Sequence, residues 1–410
     1  QRDHIAQSVT WCAARATRST SNHLGHRIVL NYLLVPFVGL PHFGFLRLFQ
    51  WITFRAAGAA VSAILLTWIV GPGIMRRLRR MRLHQVIREG TPDAHQQKGR
   101  TPTMGGLIIL GATLTSTFLW ARLDNRYVLI AMISMAWMGA IGFWDDYLKL
   151  KQKLAGKKNT GLVESYKLAG QVTLGFAVGY YLWKHPLSNL PGASTTLPFY
   201  KYILIVPLTA GLGWLYVLFV TFVMTGASNA VNITDGLDGL AAGLTAIAAL
   251  TFAFYSYVVG RVDASQYLHV YFLRGSGELT VFCAALMGAC IGFLWYNTHP
   301  AEVFMGDTGA LALGGALAAV SILLKSEFLL LIVGAVFVAE MFSVILQRFV
   351  FKYRKRRYGI EYAREHRVFK RAPLHHHFEV KGWDEAQVVV RFWILGVLAA
   401  FIGLSTLKLR

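Results

Sequence analysis

The chain has 410 residues, of which 55% are hydrophobic and 15% charged, against about 25% charged in a soluble domain. This composition, with a mean hydropathy of +0.46, excludes a set of soluble domains, and 13% aromatic residues exclude intrinsic disorder. The net charge of +21 points first to cytoplasmic loops beside an anionic lipid surface and then to an anionic substrate, with no nucleic-acid partner expected. Three sparse cysteines, Cys12, Cys283 and Cys290, form no disulfide framework.

Residues 1–27 are polar, lack a signal-peptide core and receive no function. Residues 28–46 are apolar but carry Asn31, Pro36, Pro41 and His42 between Arg27 and Arg47. They are expected to form an interfacial or broken segment, extending to about residue 50. Residues 51–410 are expected to form one integral membrane domain, all-α and polytopic. Stretches of about 16 or more residues without charge, long enough for a hydrocarbon core of about 30 Å, lie at 56–75, 103–121, 127–144, 168–183, 239–260, 279–301, 308–324 and 392–407. Residues 202–234 are uncharged for longer than one span, so their last ten or so are expected to form a loop. Residues 328–347 are apolar except for Glu340. Ten transmembrane helices result.

Charge orients them. Residues 76–102, 149–167 and 352–381, in the loops after spans one, three and nine, carry 24 Lys and Arg, against seven in the alternate loops: Arg122, Arg126, Lys184, Lys201, Arg261, Arg274 and Lys325. The rich side is expected to be cytoplasmic. Asp145 and Asp146 end span three, Asp235 and Asp238 follow span five, and Asp307 lies between spans seven and eight. Odd–even counting puts all five at the cytoplasmic face.

Each has a plain structural reading. Asp307 could cap a helix, and the Asp-Gly pairs at 235–239 read as turn chemistry. The adjacent pair Asp145-Asp146 needs a cation, either a metal or Lys149 one turn later. With Asn229 and Asn232, this oxygen-rich set suits Mg²⁺. The run His375-His376-His377 suits contact with a phosphate better than a zinc site, because consecutive rings do not converge easily on one ion. The segment 98–106, KGRTPTMGG, resembles a phosphate loop in composition without the P-loop spacing. Glu340, mid-span, reads equally as functional or as a hydrogen-bonded structural acid. Clustered Asp, Asn, Lys and His at a membrane face suit phosphoryl transfer onto a lipid phosphate held at the interface, in a cleft open to the cytoplasm.

Five motifs in order carry a resemblance: TPTMGG at 101–106, GFWDDY at 142–147, NAVNITDGLDGL at 229–240, FMGD at 304–307, and PLHHHFE at 373–379 followed by Gly382-Trp383. From about residue 54 to the end, the chain resembles the phospho-N-acetylmuramoyl-pentapeptide transferases of bacterial peptidoglycan synthesis. These lie within the polyprenyl-phosphate N-acetylhexosamine-1-phosphate transferase superfamily. The resemblance implies ten spans in the bacterial inner membrane, Mg²⁺, and transfer from UDP-MurNAc-pentapeptide to undecaprenyl phosphate, giving lipid I and UMP; a homodimer is allowed.

By motif, Asp307 would bind Mg²⁺, and Asp145 would contact or deprotonate the lipid phosphate with Asp146 supporting metal and phosphate. An aspartate nucleophile in a two-step route is the rival. His375 and His376 would contact the donor. Asn232, Asp235, Gly236, Leu237 and Asp238 would line the nucleotide site, Phe304 would stack on uracil near Lys98 and Asn297, and Thr103, Lys149 and Lys167 would surround the site. Gly99-Arg100 departs from the family pattern of a basic residue followed by Gly. Residues 353–367 look longer and more charged than the family's loop and are read as an amphipathic helix on the membrane. The competing functions are a sister transferase moving an N-acetylhexosamine phosphate, against which the histidine run argues, and a transporter or channel.

Overall fold

The computed structural model describes residues 44–80, 101–155, 161–200, 204–205 and 213–408. Residues 1–27, most of the 28–46 segment and Lys98 lie outside them. A 3-10 turn, Gly44–Gln50, leads into α1, Ile52–Arg80. There follow α2 (Gly106–Trp120), α3 (Arg126–Leu154), α4 (Glu164–Lys184), α5 (Gly213–Thr234), α6 (Leu240–Val259) and the short α7 (Val262–Leu268). The chain continues with α8 (Leu279–Asn297), α9 (Gly306–Leu323), α10 (Glu327–Val333), α11 (Ala335–Tyr358), α12 (Ile360–Glu365), α13 (Leu374–Val380) and α14 (Glu385–Ser405). One antiparallel pair, Thr195–Thr196 with Leu204–Ile205, is the only strand structure among the described residues.

This is an all-α polytopic membrane protein. Among the described residues, seven helices are long and apolar enough to cross a bilayer, and the bent pair α10–α11 makes an eighth crossing if counted as one. The other two expected spans coincide with α2, only 15 residues long, and α4.

Helix α9 is the centre of the bundle. Sixteen of its residues, Thr308 to Leu323, are buried, and it packs on α2, α3 and α5. Its small-residue sequence GDTGALALGGALAAVSIL allows this, because backbones approach closely where side chains are short. At the tightest contact, a Cβ on Gly106 of α2 would collide with the backbone of Gly309.

Two expectations are corrected. The loop expected at the end of residues 202–234 is absent: α5 runs unbroken through Thr234. Its polar residues are satisfied in place. Asn229 donates to Thr225 O at 2.8 Å and to Gln171 of α4 at 2.9 Å, and Thr234 Oγ1 donates to Ala230 O at 2.8 Å. Nor is the stretch 328–347 one straight helix. It breaks at Gly334 with an 85° bend. The basic stretch 353–367 is likewise two pieces, the end of α11 and α12, interrupted at Gly359.

Candidate active site

The end of α3, the α5–α6 turn and the start of α9 meet at one end of the bundle. The register is set by backbone pairing between two sequence motifs 200 residues apart. Phe304 N–H donates to Pro102 O at 2.9 Å, while Gly105 and Gly106 N–H donate to Phe304 O and Met305 O, each at 2.8 Å. Gly306 then turns with φ +71°, and a Cβ there would lie 2.7 Å from Asp146 Oδ2 and 2.9 Å from Thr103 Oγ1. A side chain at 306 would therefore meet both strain and a collision.

Asp146 is buried and caps α9 from a neighbouring helix. Its Oδ2 accepts from Thr308 N–H at 2.9 Å and Thr308 Oγ1 at 2.7 Å, and its Oδ1 accepts from Asp307 N–H at 3.3 Å. These are orphan donors of a helix N-terminus, where the dipole favours an anion. Asp307 itself does not cap: its carboxylate faces two lysines instead. Lys167 Nζ lies 2.6 Å and Lys149 Nζ 3.1 Å from Asp307 Oδ2. Lys149 also lies 2.6 Å from Asp145 Oδ2, and Lys167 3.8 Å. Asp145 Oδ1 accepts from Leu162 N–H at 2.7 Å. Oriented with its nitrogen toward the carboxylate, Asn232 donates to Asp307 Oδ1 at 3.1 Å and accepts from Lys167 at 3.2 Å.

Asp145 and Asp307 thus share two ammonium groups, and Asp146, held by the start of α9, adds a third carboxylate that no lysine pairs. One oxygen from each of Asp145, Asp146 and Asp307 lies within 4.8 Å of the others, a set that could hold a metal ion. All-oxygen, carboxylate-rich donors fit a hard divalent cation. Asp235 adjoins the cluster, where burial and the carboxylates of Asp307, Asp146 and Asp238 push it up to about 8.

A second polar group supports the Asp-Gly turn. Asp238 N–H donates to Glu385 Oε1 at 3.0 Å, and Asp238 Oδ2 accepts from Ala301 N–H at 3.3 Å and meets His299 Nδ1 at 3.1 Å. His299 also lies 3.4 Å from Glu385 Oε2. Asn297 is buried, accepting from Gly239 N–H at 3.0 Å and donating to Val303 O at 2.9 Å. It ties the turn to the segment before α9. Leu237 is buried and Gly236 exposed at the cleft, and Phe304 and Thr103 are half-buried.

His375 is fully buried, directly beneath Gly236, where a Cβ on the glycine would strike its Nε2. Its N–H donates to Glu340 Oε1 at 3.1 Å, and its Nδ1 lies 3.2 Å from Glu340 Oε2. His376 is half-buried and paired with Glu379 at 2.6 Å. Burial holds it below the usual imidazole range, with Glu379 pulling the other way. The structure therefore gathers Thr103, Asp145, Asp146, Lys149, Lys167, Asn232, Asp235 and Asp307 at one end of the bundle. It buries His375 and Asn297 beside them. His299 and Glu385 were not expected, and nothing in their local sequence marks them.

The sequence model of glycosyl transferase family 4 matches residues 128–325, a span that contains the acidic cluster and the turn. A phospho-N-acetylmuramoyl-pentapeptide-transferase from Gemmatimonas aurantiaca is 70% identical over 364 residues, covering 89% of this chain and 96% of the relative. Proteins of the same name from Chlorobium chlorochromatii and Desulfotalea psychrophila are 46% and 45% identical, over 93% and 89% of the chain and 100% and 96% of the relatives. The chain belongs to the phospho-N-acetylmuramoyl-pentapeptide transferase family.

Proposed function

We propose that this chain transfers phospho-N-acetylmuramoyl-pentapeptide from its UDP conjugate to undecaprenyl phosphate, producing lipid I and UMP at the cytoplasmic face of the bacterial inner membrane. The observation that carries this reading is the convergence of Asp145, Asp146 and Asp307 at one end of the bundle, with Lys149 and Lys167 shared between Asp145 and Asp307. The preponderance of basic residues in loops on that side supports the cytoplasmic orientation. Residues 51–410 form the catalytic unit, with ten crossings if α2 and α4 both traverse. A homodimer belongs to the same reading, and the mass of the detergent-solubilised particle tests it.

Asp307, with Asp145 and Asp146, would hold Mg²⁺, which when bound neutralises diphosphate charge. Lys149 and Lys167 orient the phosphates. Asp145 steers the lipid phosphate and takes its proton if it arrives protonated. A lipid phosphate oxygen attacks the donor phosphorus that bears the sugar, and the bond from that phosphorus to the bridging oxygen breaks. UMP leaves with the bond's electron pair. The turn at 235–238 lines the nucleotide, with Phe304 against uracil and Lys98 and Asn297 nearby. His375 holds the turn from below, and His376 faces the donor. In the two-step alternative, an aspartate carboxylate attacks first and the lipid phosphate then displaces it.

The test is UMP release from UDP-MurNAc-pentapeptide with and without polyprenyl phosphate. Release only with the lipid is expected, abolished by excess chelator. Exchange of UMP without lipid would favour the covalent route, and undiminished turnover in chelator would remove the metal. UDP-N-acetylglucosamine is expected to be inert; turnover with it would move the chain to the sister transferases. Solute flux across liposomes without UMP release would replace catalysis by transport.

A further inference from the structure

At the opposite end of the bundle lies a cavity of about 810 Å³, between the α2–α3 loop, the loop after α4 and the segment before α8. Helix α3 connects the two ends: Arg126 lines the cavity and Asp145 stands in the acidic cluster. Nineteen helical residues separate them, roughly 28 Å, about the thickness of a hydrocarbon core. The cavity therefore faces the other leaflet.

Three arginines line it: Arg122, Arg126 and Arg274. Outward loops are depleted of basic residues, with seven counted over the chain. Three of those seven at one cavity is a concentration that orientation alone does not require. The acids nearby do not cancel it. Glu278 is committed to Arg55 at 2.5 Å. Asp124 reaches only Arg122, at 3.4 Å. Arg126 and Arg274 have no ion-pair partner among the described residues, and Arg122 Nε is buried without an acceptor. Ile52, Leu187 and Phe272 supply apolar wall, which weakens solvent screening of a bound charge.

We propose that this cavity is an anion site in which Arg122, Arg126 and Arg274 hold a phosphate group. Guanidinium groups match phosphate oxygens in a bidentate fork. At headgroup depth, the phosphate comes either from an anionic phospholipid of the outer leaflet or from a soluble phosphate. Nothing here depends on the catalytic reading.

The test uses the full chain in detergent, with native mass spectrometry counting retained phosphatidylglycerol against phosphatidylcholine of the same acyl chains. In Arg126→Gln/Arg274→Gln, the preference for phosphatidylglycerol is expected to fall about tenfold, from the loss of two charge-assisted contacts. The unfolding temperature should stay unchanged. Should the double variant not accumulate, Arg274→Gln alone, in a loop, is expected to lower the preference by about threefold. Displacement of the lipid by millimolar inorganic phosphate would assign the site to soluble phosphate, and retention against it to the lipid. An unchanged phosphatidylglycerol preference in both variants would overturn the site.

Discussion

Two groups of buried charge sit at opposite ends of this bundle and are built differently. At the end away from the acidic cluster, Arg55 and Glu278 pair one to one through two contacts, of 2.7 and 2.5 Å, with both side chains buried. Further bonds tie them in locally: Arg55 Nη1 donates to Trp120 O, and Glu278 Oε2 accepts from Arg122 N–H, while Arg55 Nε is buried without an acceptor. At the opposite end, two carboxylates share two lysines beside a third, Asp146, and Lys149 is 38% exposed. The first arrangement is closed: charge is balanced and no donor can be exchanged without leaving a bare ion. The second has surplus negative charge and solvent-accessible cations, so ligands can enter by displacement. Ion pairs of similar distance thus serve different ends, and stoichiometry and access tell them apart.

The sharpest way to break this contrast is at the closed pair. Glu278→Gln leaves Arg55 charged and buried and should cost about 3–5 kcal/mol of stability, read as a lowered unfolding temperature. Arg55→Met/Glu278→Leu should recover most of that loss, and additive destabilisation in the double variant would show that the pair is not a unit. At the open cluster, Asp307→Asn should leave the unfolding temperature nearly unchanged while lowering turnover by about 10²–10³-fold, the range for losing a charge-stabilising group. UMP release near the wild-type rate would remove Asp307 from the chemistry. Gly306→Ala imposes left-handed strain of about 1–2 kcal/mol and pushes on Asp146, so turnover should fall more than stability does. Equal losses in both would mean that the turn only supports the fold. The smallest effect is expected at His299. Its replacement by Ala removes one contact from Asp238, worth about 0.5–1.5 kcal/mol. The donor KM should rise severalfold at nearly constant kcat, and a change confined to kcat would contradict a role in shaping the nucleotide turn.

Much of this was legible in advance, for reasons that can be named. Uncharged runs mark spans because the bilayer penalises charge, and the aspartates stand out because so few acids occur in such a chain. Lys149 could be read as a partner of Asp145 from one-turn spacing alone. What stayed hidden was what depends on distant segments. Arg55 and Glu278 are 223 residues apart, and Glu340 meets His375 from 35 residues away. An apolar run with one glycine does not announce an 85° break. Asparagines near Thr234 look like a loop until Gln171 on α4 is found to satisfy Asn229. His375 read as a cleft residue because histidines favour phosphate, yet its backbone and ring face Glu340 inside the protein.

Helix α2 joins the two ends just compared. Gly106, at its start, bonds to the segment that carries Asp307, and Trp120, at its end, accepts from Arg55. Its 15 residues rise roughly 22 Å, short of a hydrocarbon layer of about 30 Å. Where such a helix meets lipid, the mismatch is accommodated by local thinning, by flanking side chains that reach the interface or by association with neighbours, and α2 packs on α1, α3, α8 and α9. A shift of α2 along its axis would therefore move together the turn before Asp307 and the carbonyl that holds Arg55.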